Sequence, residues 1–187
     1  LSWYQWRRGQ IRAADPNPSH RALAAMQARG LPVTLVTQNE DGLQQRAGNE
    51  VDEEFHGNIF RNRCRTCENV CLADDPAAEM PPECPACGSL MGPGVVWFGE
   101  AIPQEALLAA DNAASACDVF FSVGTSALVA PASGLADIAR RAGAVIVEIN
   151  PASTDLTDRA DFPLAGPAGA VLPALLSELG GSGLANP

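Results

Sequence analysis

Two Cys-x-x-Cys knuckles, Cys64-Arg-Thr-Cys67 and Cys84-Pro-Ala-Cys87, stand sixteen residues apart near the middle of the chain. Each knuckle lets two thiolates converge on one tetrahedral ion, and the spacing between the pairs is that of a four-thiolate zinc ribbon. Four protein ligands leave no open coordination position, so the ion is expected to be structural rather than catalytic. Disulfides belong to exported chains, and a redox Cys-x-x-Cys has no need of a second pair at ribbon spacing. Cys71 lacks a matching partner and reads as a free thiol, and Cys117, between a helix and a strand, reads as a small buried hydrophobe.

From about Gly57 to Pro93 the chain is rich in Cys, Pro and charge and has no long apolar period. On either side a different grammar holds. Helix Ser19–Gly30, with Ser19 as N-cap, is followed by an apolar strand, Leu31–Gln38. Beyond the insert come helix Gln104–Ala116, strand Asp118–Val123, helix Ser133–Ala142, strand Ala144–Ile149 and helix Ala168–Leu179. Helices alternating with strands buried on both faces predict an α/β fold, a doubly wound parallel sheet with a small zinc ribbon inserted. The expected division is 1–56 with 94–179 for the sheet domain, 57–93 for the ribbon, and a flexible tail at 180–187.

At 187 residues and 47% hydrophobic content the chain can bury a substantial core. Its formal charge of −10 speaks against a nucleic-acid footprint, which needs clustered Lys and Arg. No run approaches the roughly 18 apolar residues of a membrane helix, and no basic-then-apolar leader is seen. The expectation is a cytoplasmic monomer with neither nucleic acid nor membrane as partner.

Ligands of doubly wound sheets bind beyond the carboxyl ends of the strands, and there the chain places Gln38-Asn39, Gly124-Thr125-Ser126 and Asn150. One of only two histidines, His56, lies just upstream of the ribbon. A lone histidine is more often structural than catalytic, but imidazole is the natural general base at neutral pH where polar groups converge on it. His20, following Ser19, reads as a surface or capping residue.

Six motifs now stand in order: Thr37-Gln38-Asn39-Glu40-Asp41-Gly42-Leu43, Arg46-Ala47-Gly48, Phe55-His56-Gly57, the four cysteines, Val95-Val96-Trp97-Phe98-Gly99-Glu100, and Gly124-Thr125-Ser126. Together they resemble the sirtuins, the NAD-dependent protein lysine deacylases, from Trp3 to about Pro173. The resemblance implies a Rossmann-like domain and a zinc-ribbon domain, with NAD and an acyl-lysine protein or peptide in the cleft between them. Gln38, Asn39, Glu40 and Asp41 would line the nicotinamide and ribose pocket. His56 would deprotonate a ribose hydroxyl after the acyl oxygen has displaced nicotinamide, and the resulting imidate would collapse to O-acyl-ADP-ribose and free lysine. Zinc would lie far from this chemistry. Val96, Phe98 and Gly99 would form the acyl-lysine tunnel and pair with the substrate backbone as an added strand. Gly124, Thr125 and Ser126 would hold NAD, and Asn150 and Ala168 match positions that meet its adenosine half.

The opening Trp3-Tyr4-Gln5-Trp6-Arg7-Arg8 resembles the signature of the class III sirtuins. Tyr4 and Arg7 share a helix face, and a phenol beside a guanidinium implies succinyl, malonyl or glutaryl cargo, with deacetylation alongside. The alternative is a packing helix on which Arg7 and Arg8 are solvated. Three departures from the family stand out. Its first strand and Gly-Ala-Gly loop, expected upstream, are not in this sequence, so the chain reads as N-terminally truncated. Glu40 replaces a branched aliphatic residue, and could face solvent, weaken nicotinamide binding or mark a degraded site. Gln44 replaces a common histidine. These departures keep open a catalytically incomplete binding module, an NAD glycohydrolase or ADP-ribosyltransferase, and a plain zinc-ribbon interaction module.

Overall fold

The structure is a computed structural model that describes residues 2–73 and 81–181. In chain order the elements are α1 (Ser2–Ala13), α2 (Pro18–Ala28), β1 (Val36–Thr37), α3 (Leu43–Arg46), β2 (Glu53–Glu54), β3 (Gly57–Cys64), β4 (Val70–Leu72), β5 (Met91–Val95), α4 (Gln104–Ala116), β6 (Val119–Val123), α5 (Leu135–Ala142), β7 (Val145–Asn150), β8 (Phe162–Ala165) and α6 (Ala168–Gly181). Residues 182–187 of the expected tail lie outside the described residues, and its first two residues complete α6.

β6, β7 and β8 form a parallel sheet in that order, and β7 is buried on both faces. Ile146 points into a core built with Ala106, Ala110 and Ala114 of α4 and Leu135, Ala136 and Ala139 of α5. Val147 and Ile149 point the other way, onto Ala22 and Met26 of α2 and Leu172 of α6. Helices therefore cover both faces, as a doubly wound sheet requires. The small alanines of α4 and α5 let these helices approach closely. β8 was not anticipated from the sequence; Pro163 breaks its apolar pattern, and the strand is tolerated because it pairs on one side only.

The strand expected over 31–38 is regular only at Val36–Thr37, which pairs in parallel with β2. Pro32 lacks an amide hydrogen, and Leu35 is held irregularly, its N–H on Asp52 Oδ2 at 2.7 Å and its carbonyl accepting from the Asp52 amide at 2.9 Å. The N-cap of α2 is Asn17 rather than Ser19. Pro18 takes the first helical turn, where no N–H is needed, and Asn17 Oδ1 accepts from the Ser19 and His20 amides. His20 completes a capping box through Nδ1, which accepts from the Asn17 amide at 2.9 Å, and its burial lowers its pKa and keeps the ring neutral.

β4, β3 and β5 form a separate antiparallel sheet that carries Cys64 at the end of β3. α1 is fastened to this sheet by Arg8, which is 1% exposed. Arg8 Nε donates to the Ile59 carbonyl at 2.6 Å, and Nη2 donates to the Arg61 carbonyl at 3.2 Å and to Asn62 Oδ1 at 2.9 Å. Arg8, solvated in the alternative reading of the first helix, is thus a buried anchor. Among the described residues no helix is long and apolar enough to cross a membrane.

Replacing Arg8 with Met keeps the volume but leaves two β3 carbonyls and an amide oxygen without donors. The expected outcome is a loss of about 3 kcal/mol, read as a lower urea midpoint at unchanged slope. A loss below about 0.5 kcal/mol would show that the anchor is dispensable.

Candidate active site

His56 is placed by its backbone on both sides. Its carbonyl accepts from the Val96 amide at 2.9 Å, and Gly57 pairs with Val95 at the end of β5. Gly57 has φ +72°, and a Cβ there would lie 2.2 Å from the Gly94 carbonyl oxygen, so glycine is required twice over. His56 Nδ1 lies 2.7 Å from the Gln38 carbonyl oxygen. A carbonyl only accepts, so Nδ1 carries the proton and Nε2 keeps its lone pair. The ring is thereby set as a base whose orientation is fixed by the polar end of β1.

Gln38 also reaches the second strand end. Its Nε2 donates to Thr125 Oγ1 at 3.4 Å, and Asn150 Nδ2 donates to the Thr125 carbonyl at 2.7 Å. Gly124 adopts φ +63° as β6 ends, and its amide bonds the Ile149 carbonyl. Gly124, Thr125, Ser126 and Asn150 line an open pocket of about 350 Å³ whose far wall is Ala152–Asp155. That wall is fixed by Glu148, which sequence reasoning missed. Glu148 is 3% exposed on β7 and accepts from the hydroxyls of Thr154 and Thr157. A glutamate in an apolar strand, followed within ten residues by two threonines, was the available signal. Ala168 begins α6 and is not among the lining residues, although Gly166 donates to the Asn150 carbonyl nearby.

The remaining residues of the β1 end behave differently from one another. Asn39 is exposed, and Asp41 Oδ1 accepts from the Leu43 amide at 2.9 Å, capping the α3 turn. Gln44, in place of the family histidine, accepts from Asn49 Nδ2 at 2.8 Å. Glu40 turns its carboxylate onto α1, where Arg7 Nε donates to it at 3.1 Å. Arg7 also stacks over Trp3 at 5.3 Å. The Tyr4 hydroxyl accepts from Trp97 Nε1 at 2.8 Å. Val96 is half-buried, whereas Phe98 is fully exposed and Gly99 turns with φ +87°.

The four cysteine sulfurs lie within 4.8 Å of one another, with Cys64–Cys87 at 3.5 Å and Cys67–Cys84 at 3.6 Å. Four sulfurs on a tetrahedral zinc with bonds near 2.3 Å sit about 3.8 Å apart, so the cluster fits that ion. Amides of Cys67 and Thr66 lower the Cys64 thiol, and Ser89 lowers Cys87 to about 6. Cys67, by contrast, is pushed up to about 12: the Asn69 amide opposes the rise, and the neighbouring sulfurs of Cys87, Cys64 and Cys84 drive it together with desolvation. Four thiolates at this spacing need a cation between them.

A family model described as the Sir2 family matches residues 1–131. Relatives of the whole chain agree: it is 48% identical to NAD-dependent protein deacylase 2 of Pyrobaculum aerophilum, covering 95% of this chain and 71% of that protein. The chain belongs to the Sir2 family. An NAD-dependent protein deacylase of Methylococcus capsulatus is 45% identical over 95% of this chain and 72% of its own length. Among solved structures, a Sir2 homolog–NAD complex superposes with a TM-score of 0.91 at 39% identity, covering 97% of this chain and 71% of that one. A Sir2 bound to acetylated peptide matches with a TM-score of 0.83 at 32% identity over 91% and 74% of the two chains. The Rossmann-like fold of the Sir2 family, with its thiolate metal site, is thus the fold of this chain.

One polar group ties the segment after β5 to the metal end of β3. Glu100 accepts from the Trp97 amide at 2.8 Å and from Arg63 and Arg65 of the ribbon side. The Trp97 amide, with Arg65 and Arg63, holds its carboxyl below the ordinary value of 4.5. A depressed carboxyl contributes stability above its unfolded pKa and loses it as pH falls through the folded one. With Trp3 and Trp6 replaced by Phe, Trp97 emission is expected to stay constant from neutral pH down to about 5 and to shift only below the ordinary carboxylate range. Glu100→Gln is expected to show the shifted emission already at neutral pH.

Proposed function

We propose that the protein removes acyl groups from lysine side chains of proteins, with NAD as co-substrate and acyl groups ending in a carboxylate as favoured cargo. The observation that carries this reading is the Gln38 relay: one residue fixes the His56 tautomer through its carbonyl and reaches Thr125 in the strand-end pocket through its amide. The relatives' names and the solved NAD and acetylated-peptide complexes of Sir2 proteins support it.

Each residue then has a task its surroundings suit. NAD supplies the anomeric carbon that receives the acyl oxygen, and nicotinamide as the leaving group. Gln38, Asn39 and Asp41 bind the nicotinamide and ribose end, where amides supply donors and acceptors and Asp41 keeps the turn in place. Gly124, Thr125, Ser126 and Asn150 hold the rest of the dinucleotide, with Ala168 towards adenosine. His56 accepts a ribose hydroxyl proton at Nε2, the only ring nitrogen with a free lone pair. Val96, Phe98 and Gly99 receive the acyl-lysine segment, and the exposed Phe98 gives a peptide apolar surface to cover. With one solvent water consumed to release the amine, the products are nicotinamide, O-acyl-ADP-ribose and free lysine. Cys64, Cys67, Cys84 and Cys87 hold a structural zinc.

Tyr4 is held by Trp97 and Arg7 pairs with Glu40. Because the Tyr4 oxygen accepts from Trp97, its own proton remains free to donate, and a guanidinium and a phenol together suit a carboxylate.

The test is turnover of matched acetyl- and succinyl-lysine peptides with NAD. His56→Ala should lower both rates about a thousandfold while peptide binding persists. Arg7→Met should lower desuccinylation at least about tenfold more than deacetylation, the loss of a charge-assisted clamp. Equal losses for both acyl groups would sink the carboxylate preference, and NAD consumption independent of acyl-lysine would replace deacylation with glycohydrolysis.

A further inference from the structure

We infer that Glu40 is an internal competitor for the acyl carboxylate and sets the balance between acidic and neutral acyl-lysines. The inference rests on the reading of Tyr4 and Arg7 given above. Arg7 is the cation on the site-facing side of α1, and Glu40 already occupies its Nε at 3.1 Å. The two side chains come from positions 33 residues apart, so the pair is a tertiary contact and not an accident of helix spacing. Glu40 cannot drift away, because its own carbonyl accepts from the Ile59 amide at 2.9 Å and Ile59 is in turn held by Arg8.

The consequence is electrostatic. Without Glu40 an anionic acyl group meets a full positive charge at Arg7; with it, the group meets a neutral pair and must share the guanidinium with a second carboxylate, leaving two like charges close together. An acetyl group needs no guanidinium and is indifferent to the exchange. Glu40 thus narrows the advantage that Tyr4 and Arg7 give to succinyl, malonyl or glutaryl chains. The Nη groups of Arg7 and the Tyr4 proton remain open to an incoming carboxylate, so acidic cargo is weakened rather than excluded.

Peptides of one sequence carrying acetyl- or succinyl-lysine serve as probes, their Kd measured on wild type, Glu40→Gln, Arg7→Met and the double variant. Relief of a half-exposed ion pair should raise the succinyl-over-acetyl affinity ratio about fivefold in Glu40→Gln, and Glu40→Asp, a carboxylate on a shorter arm, should fall between. In the Arg7→Met background the Glu40 substitution should leave the ratio unchanged. A ratio that is unaltered or lower in Glu40→Gln, or one that still rises without Arg7, overturns the competitor role while leaving the clamp intact. Equal weakening of both peptides by Arg7→Met removes clamp and competitor together, and retained acetyl-peptide binding then leaves the deacylase reading standing.

Discussion

The buried guanidinium of Arg8 is the contact on which the geometry of the site depends. It ties α1 to the middle of β3, and β3 begins beside His56 and ends at Cys64. Removing a guanidinium from water is costly, and burial lowers its pKa here, with Arg12 adding to the effect. Three oxygen acceptors on one strand make the burial tolerable. The same stretch of helix carries Tyr4 and Arg7, so anchoring Arg8 also fixes where their side chains meet Trp97 and Glu40. Arg12 extends the attachment, donating to the Ala73 carbonyl and stacking over Phe60.

The His56 end of β3 depends on two glycines rather than on side chains. At Gly57 and Gly94 the strands β3 and β5 approach so closely that any Cβ would meet backbone or the Arg61 side chain, and the register slips between Gly57 and Asn62. That irregularity turns His56 out of the sheet and towards the Gln38 carbonyl. Opposite, the strand ends of β6 and β7 are joined by Asn150 and Thr125, with Glu148 holding the loop beyond. Backbone and buried polar groups thus shape the cleft before any ligand is bound, the preorganisation that lets a base work without reorientation.

Much of this was legible in the residues. Ribbon spacing placed the four sulfurs together, and α4 lies where it was expected, because its helical period ends at Cys117 before the apolar strand Val119–Val123. The polar strand ends at Gln38, Thr125 and Asn150 converge as a doubly wound sheet demands. What was illegible depends on contacts distant in sequence. Arg8 looked like any helical arginine, since nothing local records that Ile59, Arg61 and Asn62 await a donor. Glu40 looked like a stray charge beside a pocket, and only the tertiary approach of α1 gives it Arg7. Pro32 and Pro163 misled in opposite directions, one shortening an expected strand and the other hiding a real edge strand.

The four-cysteine site and His56, finally, are joined by β3. Its eight residues span roughly 25 Å, too far for an ion at the cysteines to polarise groups beside His56. Yet Cys64 pairs with Met91 at one end of the β3–β5 ladder and Gly57 pairs with Val95 at the other. Loss of the thiolate cage would free the far end of a ladder whose near end positions both His56 and the Val96–Gly99 segment. Arg63 and Arg65, at the metal end, also hold Glu100 and through it the Trp97 amide. An ion held by the four cysteines would therefore fix the position of His56 without touching it, by keeping one strand in register.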